Sequence, residues 1–466
     1  MHDSKTKDGA ALHPRRAFLN RLGAVGAVPL IGTATGTAMH QPTGVPALKG
    51  ATRSVIVPTH EFAGDLDERL DFPADWDIQV MNMAGHAAPV LTAAQIGNRL
   101  DQPIGTRRLR EVAEGKKTVV VTFDDLTRTT PTYTVTPWIV QELQSAGIKE
   151  ENILFLSSYG THRPMTALEV QKKLGREIAL RYAWMNHNVF DSLKDVGETS
   201  FRNRVRLNQT FLAADLKICL SGIKVHQDAG YGGGAKAILP GVAGLSTIEY
   251  NHQVILRQTR TAGPVRVFKN EMRRDMIEAA RMVGVDFTVQ ILYNQKLQPT
   301  HIFSGDIVDA HHAGVRVAAK HYCTPTVKDA DIVVTNGYPQ NAQAFHARRW
   351  IHYSVREGGT GVSIVQHPLA LDPIHFLNNR LAGMDGSTYF DLTSRRLNGK
   401  NPKNSALIVF SKYTDRSQIN NYPRDTVFCD RWEDVIRNLQ KRHPGTPRVA
   451  VYPYGGMQHQ EIDLDE

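Results

Sequence analysis

The sequence predicts an α/β fold built on a mostly parallel sheet. Short runs of β-branched residues recur along the chain, and segments in which apolar residues have helical spacing separate them. Each of the clearest runs also ends in a cluster of polar residues, as strands of parallel sheets often do. The length agrees with this, because 466 residues suffice for two or three domains with a substantial core.

The alternation begins after residue 75. Residues 40–75 contain scattered Pro and Gly and are predicted to be irregular. Strands are then expected at 116–123, 152–159, 215–223 and 287–294. The helices expected between and after them lie at 136–148, 167–175, 270–284 and 307–322, and the third is strongly amphipathic.

A new strand at ADIVVTNGYP (330–339) follows Pro325 and indicates a second unit. Further strands are expected at 361–367, 406–413 and 449–456, with a helix at 432–443. We therefore predict an N-terminal domain at residues 40–325, with a mostly parallel, Rossmann-like sheet. A smaller α/β C-terminal domain would occupy residues 326–466, with the active site in the cleft between the two.

Charge and cysteine content exclude several classes of protein. The formal net charge is +9, of which residues 1–39 carry +3, and the remainder has no long basic run. This mild excess suits a small anionic substrate better than nucleic acid. The three cysteines, Cys219, Cys323 and Cys429, have neither zinc spacing nor an even number for a disulfide framework, so we expect buried small side chains.

The N-terminus reads HPRRAFLNRLGAVGAVPLIGTATGTAMHQP and resembles a twin-arginine export signal over residues 1–39. Its apolar run is too short and too rich in Gly and Ala for a stable membrane span. The alternative is a disordered basic tail. The resemblance predicts a periplasmic or exported protein that leaves the cytoplasm folded, often with a cofactor already inserted.

Three polar clusters follow predicted strands. VVVTF leads to Asp124-Asp125-Leu-Thr127-Arg128, ILFLSSY leads to Gly160-Thr161-His162-Arg163, and ICLSGIKV leads to HQDAGYGGGAKAILPG (226–241). Ligands of open parallel sheets bind beyond the carboxyl ends of the strands, so these loops should converge on one pocket. The alternative for each cluster is an ordinary solvated loop.

The side chains of these clusters suggest a pocket for an anion. Arg128 has a rigid fork of donors suited to a carboxylate or phosphate, and Asp125 could orient it, although a surface ion pair is the alternative. His162 and His226 could serve as acid and base from opposite sides. His252 could be a metal ligand, but one histidine alone makes no metal site.

The glycine run before Lys236 is neither a P-loop, which needs GxxxxGK[ST], nor a GxGxxG fingerprint. Glycines nevertheless permit close approach of the backbone to an anion. A partly desolvated Lys236 could act as a nucleophile and bond a cofactor covalently. Schiff-base or other covalent chemistry would fit, and spacing alone does not choose between them.

Taken in order, DDLTR, GTHRP, HQDAGYGGGAKAILPG and EYNHQ resemble the nickel-dependent lactate racemase family. The segments FKNEMRRDMIEAARMVGVDFTVQILYN and HIFSGDIVDAHHAGV resemble the part of that family that follows these motifs. The resemblance covers about residues 75–345, and the remainder more loosely.

The resemblance implies a nickel pincer nucleotide, a pyridinium mononucleotide with two sulfur-containing arms, and cofactor maturation proteins as partners. Lys236 would be its covalent attachment point through a thioamide. His252 would bind the nickel, whose other three donor atoms come from the cofactor itself. Residues implied near the cofactor are Asp125, Thr127, Gly232, Gly233 and Gly234.

The same resemblance implies racemisation or epimerisation of a 2-hydroxy acid by proton-coupled hydride transfer. His162 and His226 would be the two catalytic bases, one on each side of the substrate, and Arg128 would hold and polarise it.

The sequence departs from the family where a tyrosine–glutamine pair and a lysine near the substrate are expected. Phe345, His346 and Arg349 stand at those positions, which predicts a larger or more polar acid than lactate, such as a sugar acid or a dicarboxylate. Two other functions remain open: a Schiff-base lysine enzyme of the pyridoxal phosphate type, and a non-catalytic exported carboxylate-binding protein.

Overall fold

A computed structural model of the protein describes residues 51–340, 347–368, 402–414, 422–423 and 425–465. In these ranges the strands, in chain order, are β1 (Thr52–Thr59), β2 (Leu66–Pro73), β3 (Asp77–Val80), β4 (Val119–Phe123), β5 (Ile153–Ser157), β6 (Ala183–Asn186), β7 (Leu193–Glu198), β8 (Arg204–Asn208), β9 (Leu216–Gly222), β10 (Val225–His226), β11 (Ala229–Tyr231), β12 (Gly263–Pro264), β13 (Phe287–Tyr293), β14 (Pro299–Gly305), β15 (Ala330–Asn336), β16 (Val355–Ile364), β17 (Ala406–Phe410), β18 (Val427–Cys429) and β19 (Arg448–Tyr452).

The α-helices of the same ranges alternate with the strands, as predicted. They are α1 (Ala93–Leu100), α2 (Leu109–Ala113), α3 (Thr136–Ser145), α4 (Ala167–Leu174), α5 (Arg176–Arg181), α6 (Gln209–Ala213), α7 (Leu245–Glu249), α8 (Leu256–Gln258), α9 (Glu271–Val283), α10 (Asp309–His321), α11 (Arg349–Ser354) and α12 (Trp432–Arg442). Shorter helical turns include a 3₁₀ turn at Gly234–Ala237 and a π-helical segment at Tyr250–Ile255, which joins α7 to α8.

The first large sheet has the strand order β14-β13-β9-β4-β5-β6. Every neighbouring pair is parallel except β13 with β14. Both faces of β4 are buried in apolar clusters, Val121 and Phe123 on one side and Val120 on the other, which explains its uninterrupted β-branched sequence. The strand order reverses between β4 and β9, and this reversal creates a crevice beyond their carboxyl ends.

The second large sheet has the order β18-β17-β16-β15-β19-β3, and all of its neighbouring pairs are parallel. Its edge strand β3 comes from the N-terminal part of the chain and pairs with β19 from the opposite end. Smaller sheets are formed by β1 with β2, by β7 with β8, and by β10, β11 and β12.

The expectation of irregular structure over residues 40–75 is wrong for much of that range. The strands β1 and β2 form an antiparallel hairpin, and its apolar face packs on the core of the second sheet through Val55, Val57, Leu70 and Phe72. Alternation of apolar and polar residues was present there, but the scattered Pro and Gly concealed it.

The predicted α/β fold with mostly parallel sheets is confirmed. Residues 48–466 group into one compact unit, and the boundary predicted at residue 325 stays a prediction. The proposed export signal at residues 1–39 lies outside the described residues. Within those residues no helix has the length and apolarity that a membrane crossing requires. Cys219 and Cys429 are buried as expected, whereas Cys323 is only partly buried.

Candidate active site

A buried ion pair fixes the loop that follows β4. The Lys173 ammonium of α4 donates to Asp124 Oδ1 at 2.6 Å. It also donates to two carbonyls of the loop, those of Arg128 and Thr130. The other oxygen, Asp124 Oδ2, accepts from the Gly222 amide at the end of β9, at 3.1 Å. The pair therefore ties the ends of β4 and β9 together and shapes the loop that carries Arg128.

The neighbouring carboxylate, Asp125, pairs with His162 from the loop after β5. Asp125 Oδ2 lies 2.7 Å from His162 Nδ1, and Asp125 Oδ1 accepts from the Thr127 amide at 2.7 Å. Burial opposes ionisation of Asp125, but His162 and Arg128 outweigh it and hold the pKa of this carboxyl below its usual value. The ionised carboxylate accepts the proton of Nδ1, so neutral His162 carries its lone pair on Nε2, as a general base does.

Arg128 is oriented by the same loop. Its Nη1 donates to the Thr127 hydroxyl at 2.8 Å, and its backbone amide donates to the Asp125 carbonyl at 3.0 Å. Asp125 thus organises the loop through its backbone and His162 through its carboxylate. The charge of Arg128 also lowers the pKa of the Asp125 carboxyl, and the orientation of the guanidinium by that carboxylate stays a prediction.

His226 has the opposite hydrogen-bonding pattern. It lies in the short strand β10, and its Nδ1 accepts from the backbone amides of Asp228 and Ala229, each at 3.2 Å. Because Nδ1 is an acceptor, neutral His226 carries its proton on Nε2. The two histidines are therefore chemically distinct: His162 presents a lone pair and His226 presents an N–H.

Lys236 lies in the 3₁₀ turn at Gly234–Ala237 and is 8% exposed. Burial lowers the pKa of its ammonium well below the usual value, and the positive charges of Arg273 and Arg128 lower it further. A lowered pKa favours the neutral amine, which is the nucleophilic form of lysine, so the position of Lys236 suits the predicted covalent attachment of a cofactor.

Two glycines before Lys236 have backbone conformations that other residues seldom adopt, with φ of +75° at Gly233 and +59° at Gly234. A Cβ atom on Gly233 would lie 2.3 Å from the side-chain oxygen of Gln290, and one on Gly234 would lie 2.7 Å from the ring of His311. The glycines are therefore required for this loop to pack against β13 and α10.

Arg273, on α9, holds the glycine loop from behind. Its fully buried guanidinium donates to three loop carbonyls, those of Ala229, Tyr231 and Gly233. Desolvation lowers its pKa to about 9. This residue was missed at the sequence level, although its place beside Met272 on the buried side of an amphipathic helix was a usable indication.

His252 lies in the π-helical segment, a conformation that is often found at functional sites. Its Nδ1 is 3.1 Å from the Ile248 carbonyl, which fixes the proton on Nδ1 and the lone pair on Nε2. A backbone carbonyl behind the imidazole is a common support for a metal-binding histidine. Helix α9 packs against both this segment and the turn that carries Lys236.

One cavity brings several of the predicted residues together. Arg128, His226 and Gly232 line it from the loops after β4 and β9, and Arg349 lines it from the region after β15. Lys224, which sequence reasoning did not single out, lies on the same cavity. Phe345 and His346 fall outside the described residues.

The described residues contain no group of three or more His, Cys, Asp or Glu side chains arranged to hold a metal ion. A metal bound at His252 would therefore need donor atoms that these side chains do not supply, and a cofactor could bring them.

Comparisons with known proteins find lactate racemases that are similar to the part of the chain that carries these motifs. The lactate racemase N-terminal domain family matches residues 64–263, which include every motif from the Asp125 loop to His252. A lactate racemase of Lactiplantibacillus plantarum is 29% identical over 272 residues, which are 57% of this chain and 64% of that protein. One from Thermoanaerobacterium thermosaccharolyticum is 30% identical over 252 residues, which are 53% of this chain and 59% of that protein. The chain thus spans about three fifths of the length of these curated relatives.

Two solved structures share the fold. The lactate racemase apoprotein of T. thermosaccharolyticum superposes with a TM-score of 0.66 at 21% identity, covering 89% of this chain and all of that one. A structural-genomics protein from Thermotoga maritima gives a TM-score of 0.59 at 18% identity, covering 80% of this chain and 99% of that one. The resemblance seen in the motifs is confirmed: residues 64–263 match the lactate racemase N-terminal domain family, and about half of the chain is similar to curated lactate racemases.

Proposed function

We propose that the protein is an isomerase that racemises or epimerises a 2-hydroxy acid larger or more polar than lactate. The observation that carries the proposal is the pairing of His162 with a buried, ionised Asp125 on the loop that also positions Arg128. That arrangement supplies a base beside a carboxylate-binding group, which the isomerisation of a hydroxy acid requires.

Arg128 would bind the substrate carboxylate, since a guanidinium offers two parallel donors to it. His162 would then accept the hydroxyl proton at Nε2, and the Asp125 carboxylate would stabilise the imidazolium that forms. His226 would donate from Nε2 to the substrate oxygen in its opposite orientation. To accept a proton at Nε2, His226 must carry its own proton on Nδ1 and so lose the hydrogen bonds from the two backbone amides. His226 is therefore less suited than His162 to act as a base.

The residues present fit a lysine-tethered nickel pincer nucleotide. The buried Lys236 amine has the lowered pKa that covalent attachment needs, and His252 presents an Nε2 lone pair to a metal. A Cβ atom on Gly233 or Gly234 would clash with Gln290 or His311, so these glycines let the backbone before Lys236 pack closely and hold the lysine in its buried position. When bound, the cofactor would supply an acceptor for the hydrogen and the electron pair that leave the substrate Cα.

The proposal is tested on protein purified from its native host. We expect nickel in elemental analysis and a covalent adduct on Lys236 by intact mass and peptide mapping. Chiral chromatography should show interconversion of 2-hydroxy acid enantiomers, and substrate deuterated at Cα should keep its label. Loss of the label to solvent would instead indicate proton abstraction from Cα, and nickel-loaded protein inactive on a broad panel of acids would refute the proposal.

A Schiff-base enzyme is the second candidate, because a buried lysine of lowered pKa suits imine formation equally well. Borohydride treatment separates the two. Trapping of a carbonyl compound on Lys236 in nickel-free protein would favour the Schiff-base enzyme.

We further propose that residues 1–39 direct export of the folded protein, so that a cofactor inserted in the cytoplasm leaves with it. A fusion of these residues to a reporter that is active only after folded export tests this, with Arg15 and Arg16 both replaced by Lys as the control. A reporter that stays cytoplasmic would overturn the proposal.

A further inference from the structure

Two basic side chains on the cavity have buried nitrogens without hydrogen-bond partners in the described part of the chain. They are Lys224 Nζ, just after β9, and Arg349 Nε, at the start of α11, although the Nη2 of Arg349 donates to the Gln458 carbonyl. Lys224 is 5% exposed. A buried cationic group that lacks a partner is costly, so such a group usually has a counter-ion in the working protein.

Within the described part of the chain, the side chains that line the cavity carry no negative charge to pair with these nitrogens. Of the described residues that line it, none is Asp or Glu, whereas Arg128, Lys224 and Arg349 are all basic. Two carboxylates outside this lining, those of Glu61 and Asp124, lie close enough to oppose the lowering of the Lys224 pKa, and that of Asp124 is already bound to Lys173 at 2.6 Å. Burial, together with the charges of Arg128 and Arg349, lowers the pKa of Lys224 well below its usual value.

One carboxylate on Arg128 would leave Lys224 and Arg349 without an anionic partner, whereas a second anion beside Lys224 would favour its protonated form. Lys and Arg side chains are donors only, so the hydroxyl groups of a sugar acid would satisfy them less well than a second anionic group would.

We propose that Lys224 and Arg349 bind the second carboxylate of a dicarboxylic 2-hydroxy acid, the first being held by Arg128. This inference rests on the proposed function and specifies its substrate class. The anion belongs to the substrate rather than to a cofactor phosphate, because the cavity with Lys224 is lined by the substrate-side residues Arg128 and His226.

The test compares wild-type holoprotein with Lys224→Met, which keeps the length of the side chain and removes its charge. Lys441→Met, at an exposed position on α12, is the matched control. Racemisation of malate and of lactate is measured by chiral chromatography, and the binding of each acid is measured by calorimetry. Nickel content and the mass of the Lys236 adduct are recorded for every variant.

We expect wild type to prefer malate. Lys224→Met should lower kcat/KM for malate by about 10- to 100-fold and change that for lactate by less than about threefold. It should retain nickel and the adduct, and its unfolding temperature should not fall. The control should behave as wild type does on both acids.

Three results would overturn the inference: equal losses on both acids, a preference of wild type for lactate, or loss of nickel and adduct in Lys224→Met, which would assign the lysine to the cofactor. Failure of the proposed function looks different. In that case neither acid is racemised, while malate still binds more tightly than lactate and the difference depends on Lys224.

Discussion

Replacing Asp125 by Asn should abolish general-base catalysis by His162 while the cofactor stays bound. The carboxylate contacts His162 through Oδ2 and the Thr127 amide through Oδ1, both at 2.7 Å. The amide of Asn has one oxygen and one NH₂ group. If its oxygen keeps the bond to Thr127, its NH₂ faces Nδ1 of His162 and moves the imidazole proton to Nε2, where no base remains.

The size of the effect follows from these contacts. A hydrogen bond to a charged group contributes about 1.5–3 kcal/mol, so its loss alone would slow the reaction by about 10- to 100-fold. The wrong tautomer removes general-base catalysis as well, which contributes about 10²–10⁴-fold. We therefore expect kcat to fall by about 10²–10⁴-fold, with a smaller change in KM because Arg128 remains.

The assay is the initial rate of racemisation at several pH values, measured beside nickel content and adduct mass to show that the cofactor is retained. Asp430→Asn, at an exposed position, is the matched control. If Asp125→Asn retains its cofactor and its rate stays within about threefold of wild type, His162 is not activated by Asp125 and the assignment of the base is wrong.

Three further predictions concern the second imidazole, the glycine loop and the core. His226→Gln should lower kcat/KM about 10²–10⁴-fold for both enantiomers, and a loss of less than about threefold in chiral assays would contradict this. Arg273→Met removes the guanidinium donors of three loop carbonyls, so we expect the free energy of unfolding in urea to fall by about 2–4 kcal/mol and the adduct fraction to decrease. Unchanged values of both would refute the role of Arg273. Burial lowers the pKa of His187, His321 and His459 to about 4 each, and the neutral forms are favoured in the fold. The contribution of these neutral histidines to stability is therefore fully present above pH 6.5. The free energy of unfolding should fall by up to about 4 kcal/mol per pH unit towards pH 4. Equal urea midpoints at pH 7 and pH 5 would contradict the prediction.

The sequence alone was sufficient to predict those elements whose structure follows from a local pattern of residues. Strands β4, β5 and β9 were visible as apolar runs, and the rule that ligands bind beyond the ends of parallel strands brought Arg128 and His226 to one cavity. The pairing of β3 with β19 was not visible, because no local pattern specifies a partner at the other end of the chain.

Buried charges were the other features that sequence reasoning missed. Lys173 and Arg273 lie on amphipathic helices, where a basic residue usually faces solvent. Lys224 stands beside apolar residues in ICLSGIKV, where it could equally have marked the end of a buried strand. In each case the partner carbonyl, carboxylate or cavity comes from another element, so the role became apparent only in three dimensions.

The position of β3 has a consequence for how the molecule is made. This edge strand leaves the ribosome early, yet its neighbour β19 follows it by about 370 residues, which take ~20–70 s to synthesise. The hairpin of β1 and β2 packs on the same core, and most of the strands that cover its apolar face, β15, β16, β17 and β19, are also made late. A nascent chain would therefore need protection during translation, and removal of the last twenty residues should leave a product that aggregates rather than a shorter working protein.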